Sequence, residues 1–437
     1  MAGRNFYRFA GGLGRKMGML FDFRGGAPRP GCGQGSQRTT TAAYFDSTGY
    51  RTTGSGNGRF LTGLTFGSGS SQYAPGVLSE TEFTNAASSP EDLLSTGADW
   101  SAIEGFAFEN RNVAAPDGST NGTVVYSTSV GEAGRRQTLT GFGSANQKVS
   151  VGVCISGQAD SETIQWACVR LQLLDGATQA ACYFNPLTGA VGTASNGAEN
   201  PFMLNIGEHG GETWYYCGFT VDLGAGATAP VLDLLLADAD NNPSSSSVFG
   251  EGIVFWGVTA AELPYLPMYT SGSHGANDSY DMVSGDTKPC LGMPEGVVPG
   301  AVMIDFTPLA DAADLVAVDS QRKGIFNTDF TGLAYIETDG TLEVVGADLA
   351  AHNAGVALTA YSRTKIVLNF DGTNLTVYAN GAQTYKAACT GIKWGIHASA
   401  GQYVTGSFLE PGVVWHQANI YNRALSPEKA KALSVIS

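Results

Sequence analysis

Charged residues are scarce in this sequence. Asp, Glu, Lys and Arg make up 14% of the 437 residues, whereas about a quarter is usual for a soluble domain. The charge is also uneven, since the first 40 residues carry a net charge of +6 and the remainder carries −21. The acidic body argues against nucleic acid as its partner. Low charge together with 59 glycines argues against a helical enzyme.

Paired cysteines are missing as well. The seven cysteines form no CxxC pair, and none lies near a histidine at zinc-ligand spacing. We interpret them as reduced, small apolar residues of a protein made in a cytosol. They are Cys32, Cys154, Cys168, Cys182, Cys217, Cys290 and Cys389.

Long apolar segments are also lacking. The stretch "MGMLFDF" is too short for a secretory signal and is interrupted by Asp22. No apolar run approaches the length of a membrane span. We therefore expect a protein made in a cytoplasm, with no membrane partner.

No catalytic motif is recognisable. None of the five histidines belongs to an HExxH motif or lies near a GxSxG serine. Glycoside hydrolysis needs two carboxylates close together, and Glu251, Asp305 and Asp329 are candidates for such a pair. We expect no enzyme activity and no cofactor. The histidines are His209, His274, His352, His397 and His416.

One segment resembles a calcium-binding loop. In "DADNN", Asp238, Asp240 and Asn242 alternate in the way that oxygen ligands do in calcium loops. The later glycine and the bidentate glutamate of such loops are absent. A polar turn is the favoured interpretation, and a structural calcium site is the alternative.

What the sequence does contain is a series of short strand patterns. In "KVSVGVCIS" the residues Val149, Val151, Val153 and Ile155 share one face, and "IQWACVRLQLLDG" alternates in the same way. The hairpin "RTKIVLNF-DG-TNLTVYA-NG-AQTYKA" contains two turn dipeptides that tolerate positive φ. No strand–helix–strand rhythm appears. The pattern predicts an all-β protein of β-sandwich (jelly-roll) domains.

Two loop-rich boundaries divide the chain into an extended N-terminal anchoring arm and two sandwiches in tandem. The first boundary is the Pro/Gly cluster at 28–35, and the second is rich in Ser, Gly, Asp and Pro. The predicted segments are a basic Gly-rich arm at 1–40, a hairpin lead-in at 41–75, a first sandwich at 76–270, a linker at 271–300 and a second sandwich at 301–437.

A short helix is predicted at the end of the second sandwich. Ser426 is a good N-cap, Pro427 suits the first helical position, and Glu428 favours the positive end of the helix dipole. The segment "SPEKAKAL" therefore predicts about two helical turns. Such a helix would cover an open edge or end of the sandwich.

The last third of the chain resembles a laminin-G-like (concanavalin-like) jelly roll. The resemblance rests on "KIVLNFDGTNLTVYANGAQ" followed by "VVWHQANIYNRALSPEKAKAL", and it covers about residues 300–437. That family has a DG…NG hairpin, a strand ending "IYNRALSPEE" and a short closing helix. Lys429 stands where the family usually has an acidic residue.

The middle of the chain resembles the carbohydrate-binding-like sandwich of bacteriophage head-spike and tail-fibre proteins. Six segments between about residues 40 and 270 agree with that family in order. They are "TTTAAYFDSTGYRTTGSGNGRF", "SETEFTNAA", "AAPDGSTNGTVVYST", "FNPLTGAVG", "ETWYYCGFTV" and "GIVFWGVTAAELPYLPMYTSG". The family's Gln-Leu-Glu after Trp-Gly is replaced by "VTAAEL".

The resemblance implies a fibre or spike on the surface of a virion, attached to the head or the tail. The arm would bind other virion proteins (capsid, portal or tail), and the sandwiches would adhere to host surface polysaccharide without catalysis. Such proteins are homo-oligomers, most often homotrimers. A polysaccharide depolymerase tailspike and a purely structural capsid decoration protein are the alternatives.

Aromatic residues are the candidate contact sites, because an aromatic face stacks on the apolar face of a sugar. The glycan-binding candidates are Trp394, His397 and Tyr378, whereas Trp256 matches a framework position and is predicted to be core. Exposed aromatic and basic residues of the arm have no core of their own to enter. The virion-anchor candidates are Arg4, Phe6, Tyr7, Arg8, Phe9, Arg15, Lys16, Phe21, Phe23 and Arg24.

Overall fold

The described part of the chain is mostly antiparallel β-sheet, as the sequence predicts. The structure is a computed structural model. None of the helices in its described residues has the length and apolar character needed to span a membrane. The described residues are 17–22, 35–37, 42–46, 49–53, 59–61, 76–80, 83–94, 99–103, 106–142, 147–157, 163–246, 251–270, 273–274, 282–286, 296–328, 331–346, 350–389, 391–394, 397–400 and 412–436.

Nineteen strands are described in the N-terminal segments and the first sandwich. They are β1 (Met17–Asp22), β2 (Gly35–Gln37), β3 (Ala42–Asp46), β4 (Gly49–Thr53), β5 (Arg59–Leu61), β6 (Gly76–Ser79), β7 (Phe83–Thr84), β8 (Ser101–Ile103), β9 (Phe106–Val113), β10 (Gly122–Ser127), β11 (Gly134–Thr138), β12 (Lys148–Gly157), β13 (Trp166–Gln172), β14 (Gln179–Asn185), β15 (Ala190–Ser195), β16 (Glu199–His209), β17 (Glu212–Asp222), β18 (Val231–Ala237) and β19 (Gly252–Ala261).

In the described residues, fourteen strands and two helices follow. They are β20 (Ser273–His274), β21 (Met282–Asp286), β22 (Gly296–Val298), β23 (Gly300–Pro308), α1 (Ala312–Ala317), β24 (Lys323–Thr328), β25 (Thr331–Ile336), β26 (Leu342–Val345), β27 (Ala351–Asn353), β28 (Thr364–Phe370), β29 (Asn374–Ala379), β30 (Ala382–Ala388), β31 (Ile392–Trp394), β32 (His397–Ala400), β33 (Val413–Tyr421) and α2 (Pro427–Leu433).

Two six-stranded sheets form the first sandwich. Sheet 1 has the strand order β16-β17-β12-β19-β10-β9, and sheet 2 has the order β15-β14-β13-β18-β11-β8. Side chains alternate along each strand, so Val149, Val151 and Val153 of β12 share a core with Val169 and Leu171 of β13. These faces are the ones that the sequence pattern predicts.

A strap of residues 263–270 packs on the outer face of sheet 1. Gly152 of β12 lies directly opposite Gly218 of β17. A Cβ atom on either glycine would collide with the side chain of Leu266. The missing side chains therefore create the groove in which Leu266 is buried, with 7% of its surface exposed.

The second sandwich combines strands from both ends of the chain. Its first sheet has the order β30-β29-β28-β23-β33-β6-β5 and also includes β1; its second sheet has the order β2-β21-β32-β24-β25-β26-β27. One edge of β33 pairs with β23, and the other pairs with β6 at residues 413–415 and with β1 at residues 417–421. The predicted arm, lead-in and linker thus each contribute strands to this sandwich.

The closing helix forms where the sequence predicts it. The Ser426 side chain accepts a hydrogen bond from the Lys429 N–H at 3.3 Å, and Pro427 occupies the first turn. Ala430 of α2 is buried against Tyr378 and Tyr421. The helix therefore covers the outer face of the first sheet over β28 and β29.

The two sandwiches meet through an ion pair and an apolar contact. The Lys148 Nζ atom of β12 donates to Glu199 Oε2 at 2.8 Å and to Asp314 Oδ2 of α1 at 2.9 Å. Nearby hydrophobic residues of both sandwiches, among them Tyr265 and Leu315, belong to a single buried cluster. The contact is therefore both charged and apolar.

Candidate functional site

Most of the predicted anchor residues lie outside the described part of the chain. Phe21 is the exception, since it belongs to β1 and its backbone is paired with Ala418 of β33. The role of the arm in anchoring stays a prediction. The residues outside the described ranges are Arg4, Phe6, Tyr7, Arg8, Phe9, Arg15, Lys16, Phe23 and Arg24.

Only one of the three predicted glycan-binding residues, Tyr378, has a side chain among the described residues. Tyr378 is only 5% exposed because α2 covers it, so the prediction that its ring is a sugar platform is wrong. Trp394 and His397 belong to β31 and β32, and their side chains lie outside the described residues. Trp256 is fully buried, as predicted, with its ring centroid 4.8 Å from that of Tyr269.

The "DADNN" segment is a polar turn, as the favoured interpretation predicts. Asp240 Oδ1 accepts a hydrogen bond from the Thr193 N–H at 2.7 Å, and Asp238 Oδ2 accepts one from the Ser246 N–H at 2.8 Å. Asn242 accepts a bond from the backbone N–H two residues later. In the described ranges no group of three or more His, Cys, Asp and Glu side chains could hold a metal ion.

The candidate catalytic carboxylates have separate structural partners. Glu251 Oε2 accepts hydrogen bonds from the N–H groups of Thr163 and Ile164 at 2.7 and 3.2 Å. Asp305 is buried in the other sandwich and forms a bidentate pair with Arg363 at 2.8 and 2.7 Å. Asp329 lies outside the described residues.

The cysteines within the described residues are reduced and buried. All five in the described ranges are free thiols, as the sequence predicts for them. Burial raises the pKa of the Cys168 thiol to about 12, so this residue is not a reactive nucleophile at neutral pH. The five are Cys154, Cys168, Cys182, Cys217 and Cys389.

Strand register brings charged residues together on the outer face of sheet 2. Arg136 of β11 lies opposite Asp233 of β18, and Asp233 lies opposite Arg170 of β13. Alternate residues of β13 and β18 belong to the core, so these side chains project from the other face. We call Arg136, Asp233, Arg170 and Glu132 the Arg–Asp row.

Two arginines hold one carboxylate in the Arg–Asp row. Arg136 donates to Asp233 from Nε at 2.6 Å and from Nη2 at 2.9 Å. Arg170 donates to Asp233 Oδ2 from Nη2 at 2.7 Å and to both Glu132 oxygens at 2.8 Å. The side chains of Asp233 and Arg170 are 3% and 8% exposed, whereas that of Arg136 is 42% exposed.

The pKa shifts in the Arg–Asp row favour the charged forms. The hydrogen bond from Arg170 holds the pKa of Glu132 below its usual value. Burial disfavours the charge on Arg170, but its bonds to Glu132 and Asp233 together outweigh burial and raise its pKa. The hydrogen bond to Asp233 raises the pKa of Arg136. The guanidinium of Arg136 is thus a permanently charged, fixed group at the surface.

An apolar cluster borders the Arg–Asp row. Cys168, Tyr183 and Leu235 form its buried part, and Ile103 and Trp166 are partly exposed against it. Gly192 of β15 lies close to the Trp166 ring, since a Cβ atom there would meet Trp166 Cζ3 at 2.6 Å as well as the Asp240 side chain. The indole therefore packs beside β15 and keeps part of its surface accessible.

Polar side chains border the other side of the Arg–Asp row. Gln172 of β13 lies opposite Gln179 of β14, and Ser101 of β8 lies opposite Arg136. Ser101 and Thr138 are exposed, and both glutamines are half-buried. Together the face offers fixed donors, acceptors and an aromatic surface. The sequence places Arg170 and Gln172 on one face of β13, but it does not identify their partners on β11, β14 and β18.

Comparison with known proteins assigns no family. No family model matches the sequence, and no curated protein matches it. Solved structures match part of the chain. A sialyllactose-bound CBM40 domain of an intramolecular trans-sialidase from Ruminococcus gnavus is 13% identical and matches 32% of this chain and 84% of its own, with a TM-score of 0.25.

Two further structures match at a similar level. A putative carbohydrate binding protein from Bacteroides ovatus is 10% identical and matches 67% of this chain and 82% of its own, with a TM-score of 0.27. A SAP-like pentraxin from Limulus polyphemus is 15% identical and matches 32% of this chain and 71% of its own, with a TM-score of 0.23. At these TM-scores the matches assign no ligand to this chain.

Proposed function

We propose that this chain is a non-catalytic adhesion protein of a bacteriophage particle that binds host surface polysaccharide. The observation that carries the proposal is the outer face of sheet 2, where the Arg–Asp row lies between an apolar cluster with a partly exposed indole and a set of polar side chains. The sequence resemblance to head-spike and tail-fibre proteins supports the same function.

The chemistry of this face suits a saccharide. A sugar presents hydroxyl groups beside patches of C–H, so it is recognised by fixed polar groups next to an aromatic surface. Arg136 uses Nε and Nη2 for Asp233, which leaves the Nη1 donors on the far side of the planar guanidinium. These donors, the amide of Gln179 and the indole of Trp166 would contact the ligand.

Replacing Arg136 with glutamine is expected to weaken glycan binding. The variant loses the Nη1 donors, and a hydrogen bond from a charged donor corresponds to at least about a tenfold change in Kd. Asp233 keeps its bonds to Arg170, so the sandwich is expected to fold. Binding would be measured on an array of bacterial surface polysaccharides, with circular dichroism as the folding check.

Arg322→Gln is the matched control for this experiment. Arg322 is 46% exposed and pairs with Glu337 through Nε and Nη2 at 2.9 and 2.8 Å, as Arg136 pairs with Asp233. It lies in the second sandwich, so its loss should leave glycan binding unchanged. Equal binding by wild type and Arg136→Gln would contradict the proposed site, and absence of binding by wild type would contradict the adhesion function.

We propose binding without turnover of the polysaccharide. In support, both candidate carboxylates of the described residues already have structural partners. Glu251 accepts hydrogen bonds from the backbone at residues 163–164 in the first sandwich, and Asp305 is paired with Arg363 in the second. The test is incubation of purified protein with host polysaccharide followed by size analysis of the polymer. Cleavage that disappears on replacing one carboxylate would establish the depolymerase alternative.

We propose that several copies, expected to be three, are attached to other virion proteins through the basic arm. Several copies on one particle would bind the polysaccharide together, so avidity would compensate for a weak affinity at each site. The arm's charge of +6 against an acidic body supports a partner with an acidic surface. Deletion of residues 1–16 should abolish incorporation into particles and leave glycan binding by the free protein intact. Unchanged host binding by particles that lack the chain would favour the decoration alternative.

A further inference from the structure

Two Asn-Gly turns in the described part of the chain have nearly the same backbone, although the first connects strands of different sheets and the second connects paired strands. Asn196–Gly197 joins β15 to β16, and Asn380–Gly381 joins β29 to β30. The φ angles are +51° and +86° in the first turn and +48° and +85° in the second. Both are therefore two-residue Asn-Gly turns with positive φ at each position.

Asn-Gly dipeptides are chemically labile. The backbone nitrogen of the glycine loses its proton and attacks the side-chain carbonyl carbon of the asparagine, and ammonia leaves to give a cyclic succinimide. Water then opens the ring to aspartate or isoaspartate. The reaction requires a glycine nitrogen that is free to be deprotonated, and it needs no oxidant or reductant. Asparagine is for this reason among the residues that limit thermal durability.

The two turns differ in how the glycine nitrogen is held. The Gly381 N–H donates to Ser434 Oγ at 3.1 Å. Ser434 is completely buried at the C-terminal end of α2, and its hydroxyl donates to the Lys431 carbonyl oxygen at 2.8 Å. A Cβ on Gly381 would be 3.2 Å from the Val435 side chain. The end of the helix thus covers this turn.

The first turn has no such cover. Nothing lies within 4 Å of the position that a Cβ on Gly197 would occupy, and both turn residues are exposed. Among the described contacts, the Gly197 N–H donates to no acceptor. The Asn196 side chain is held by a single bond, from Nδ2 to the Gln179 carbonyl oxygen at 2.9 Å.

We propose that Asn196 is a site of spontaneous deamidation and that the Ser434 hydroxyl protects Asn380 from the same reaction. Conversion of Asn196 replaces the Nδ2 donor with an anionic oxygen that faces the Gln179 carbonyl, so the bond to β14 is lost. The modification therefore acts on the strand that borders the Arg–Asp row, whereas the hairpin under α2 is preserved.

The test is peptide mapping by mass spectrometry of the folded full-length chain during incubation at mildly alkaline pH. Deamidation at Asn196 should be faster than at Asn380 by about fivefold to tenfold, the size expected for one hydrogen bond that must be broken first. This comparison needs no variant, because both sites are in the same molecule. Equal rates, or a faster reaction at Asn380, would overturn the proposal.

Ser434→Ala tests the protecting group directly. The variant should raise the rate at Asn380 toward that at Asn196 and leave the rate at Asn196 unchanged. A Ser434→Thr variant, which keeps a hydroxyl, should restore slow deamidation at Asn380. Circular dichroism would confirm that both variants are folded. An unchanged rate at Asn380 in folded Ser434→Ala would refute the role of the hydroxyl.

Discussion

Replacing Asp233 with alanine is expected to lower the free energy of unfolding by about 3–5 kcal/mol, the usual effect of removing one partner from a buried ion pair. Arg170 would keep Glu132, but it would lose its bonds to the Asp233 carboxylate, and Arg136 would lose both of its bonds. Arg136 and Arg170 would then lie on either side of β18 with no carboxylate between them. Chemical denaturation followed by tryptophan fluorescence would measure the change.

Glu337→Ala is the control for Asp233→Ala. Glu337 also accepts two bonds from an arginine, Arg322, but that arginine side chain is 46% exposed. Exposed ion pairs contribute about 0–1 kcal/mol to stability, so Glu337→Ala should change the free energy of unfolding only slightly. If Asp233→Ala and Glu337→Ala lower the free energy of unfolding by the same small amount, the Arg–Asp row does not stabilise the first sandwich in the way described above.

Gly218→Ala is expected to destabilise the first sandwich by about 3 kcal/mol, at the upper end of the usual range for overpacking. The new Cβ would collide with the carbonyl oxygen of Val151, approach the Gly152 Cα to 2.7 Å and approach Leu266 Cδ2 to 2.8 Å. Backbone atoms in the centre of a sheet cannot move aside without breaking the ladder between β12 and β17. Thermal unfolding by calorimetry would measure the loss.

Gly157→Ala provides the comparison for Gly218→Ala. Gly157 ends β12, and a Cβ there would meet the Leu187 side chain at 2.6 Å. Leu187 is 39% exposed at a hairpin, so it can rotate away, and surface changes of this kind usually stay within about 0.5 kcal/mol. A Gly218→Ala protein as stable as Gly157→Ala would show that the strap is not packed into the groove.

Local patterns were sufficient to predict the strands of the first sandwich and the closing helix. The alternation of Val149, Val151 and Val153 defines a buried face, because the period of a strand is fixed by its geometry. The helix start at Ser426 is likewise encoded in consecutive residues, which is why it could be predicted from the sequence.

The long-range features could not be predicted in this way. The Arg–Asp row depends on the register between three strands, and nothing local to Arg136 or Asp233 specifies that they will be opposite each other. Tyr378 has the pattern of an exposed residue on a hairpin, but a helix from elsewhere in the chain covers it. The pairing of β1 with β33 joins residues from nearly opposite ends of the sequence.

The position of β33 constrains the order in which the protein can be built. Its neighbours β1 and β6 leave the ribosome early, but β33 itself is translated only after residue 412. The twelve strands of the first sandwich are contiguous in sequence and can assemble while synthesis continues. The second sandwich has a much higher contact order, so its completion should be the slow step of folding. Until β33 is made, the edges of β1 and β6 that pair with it stay open. Open strand edges promote aggregation, so the nascent chain should need protection by a chaperone at this stage.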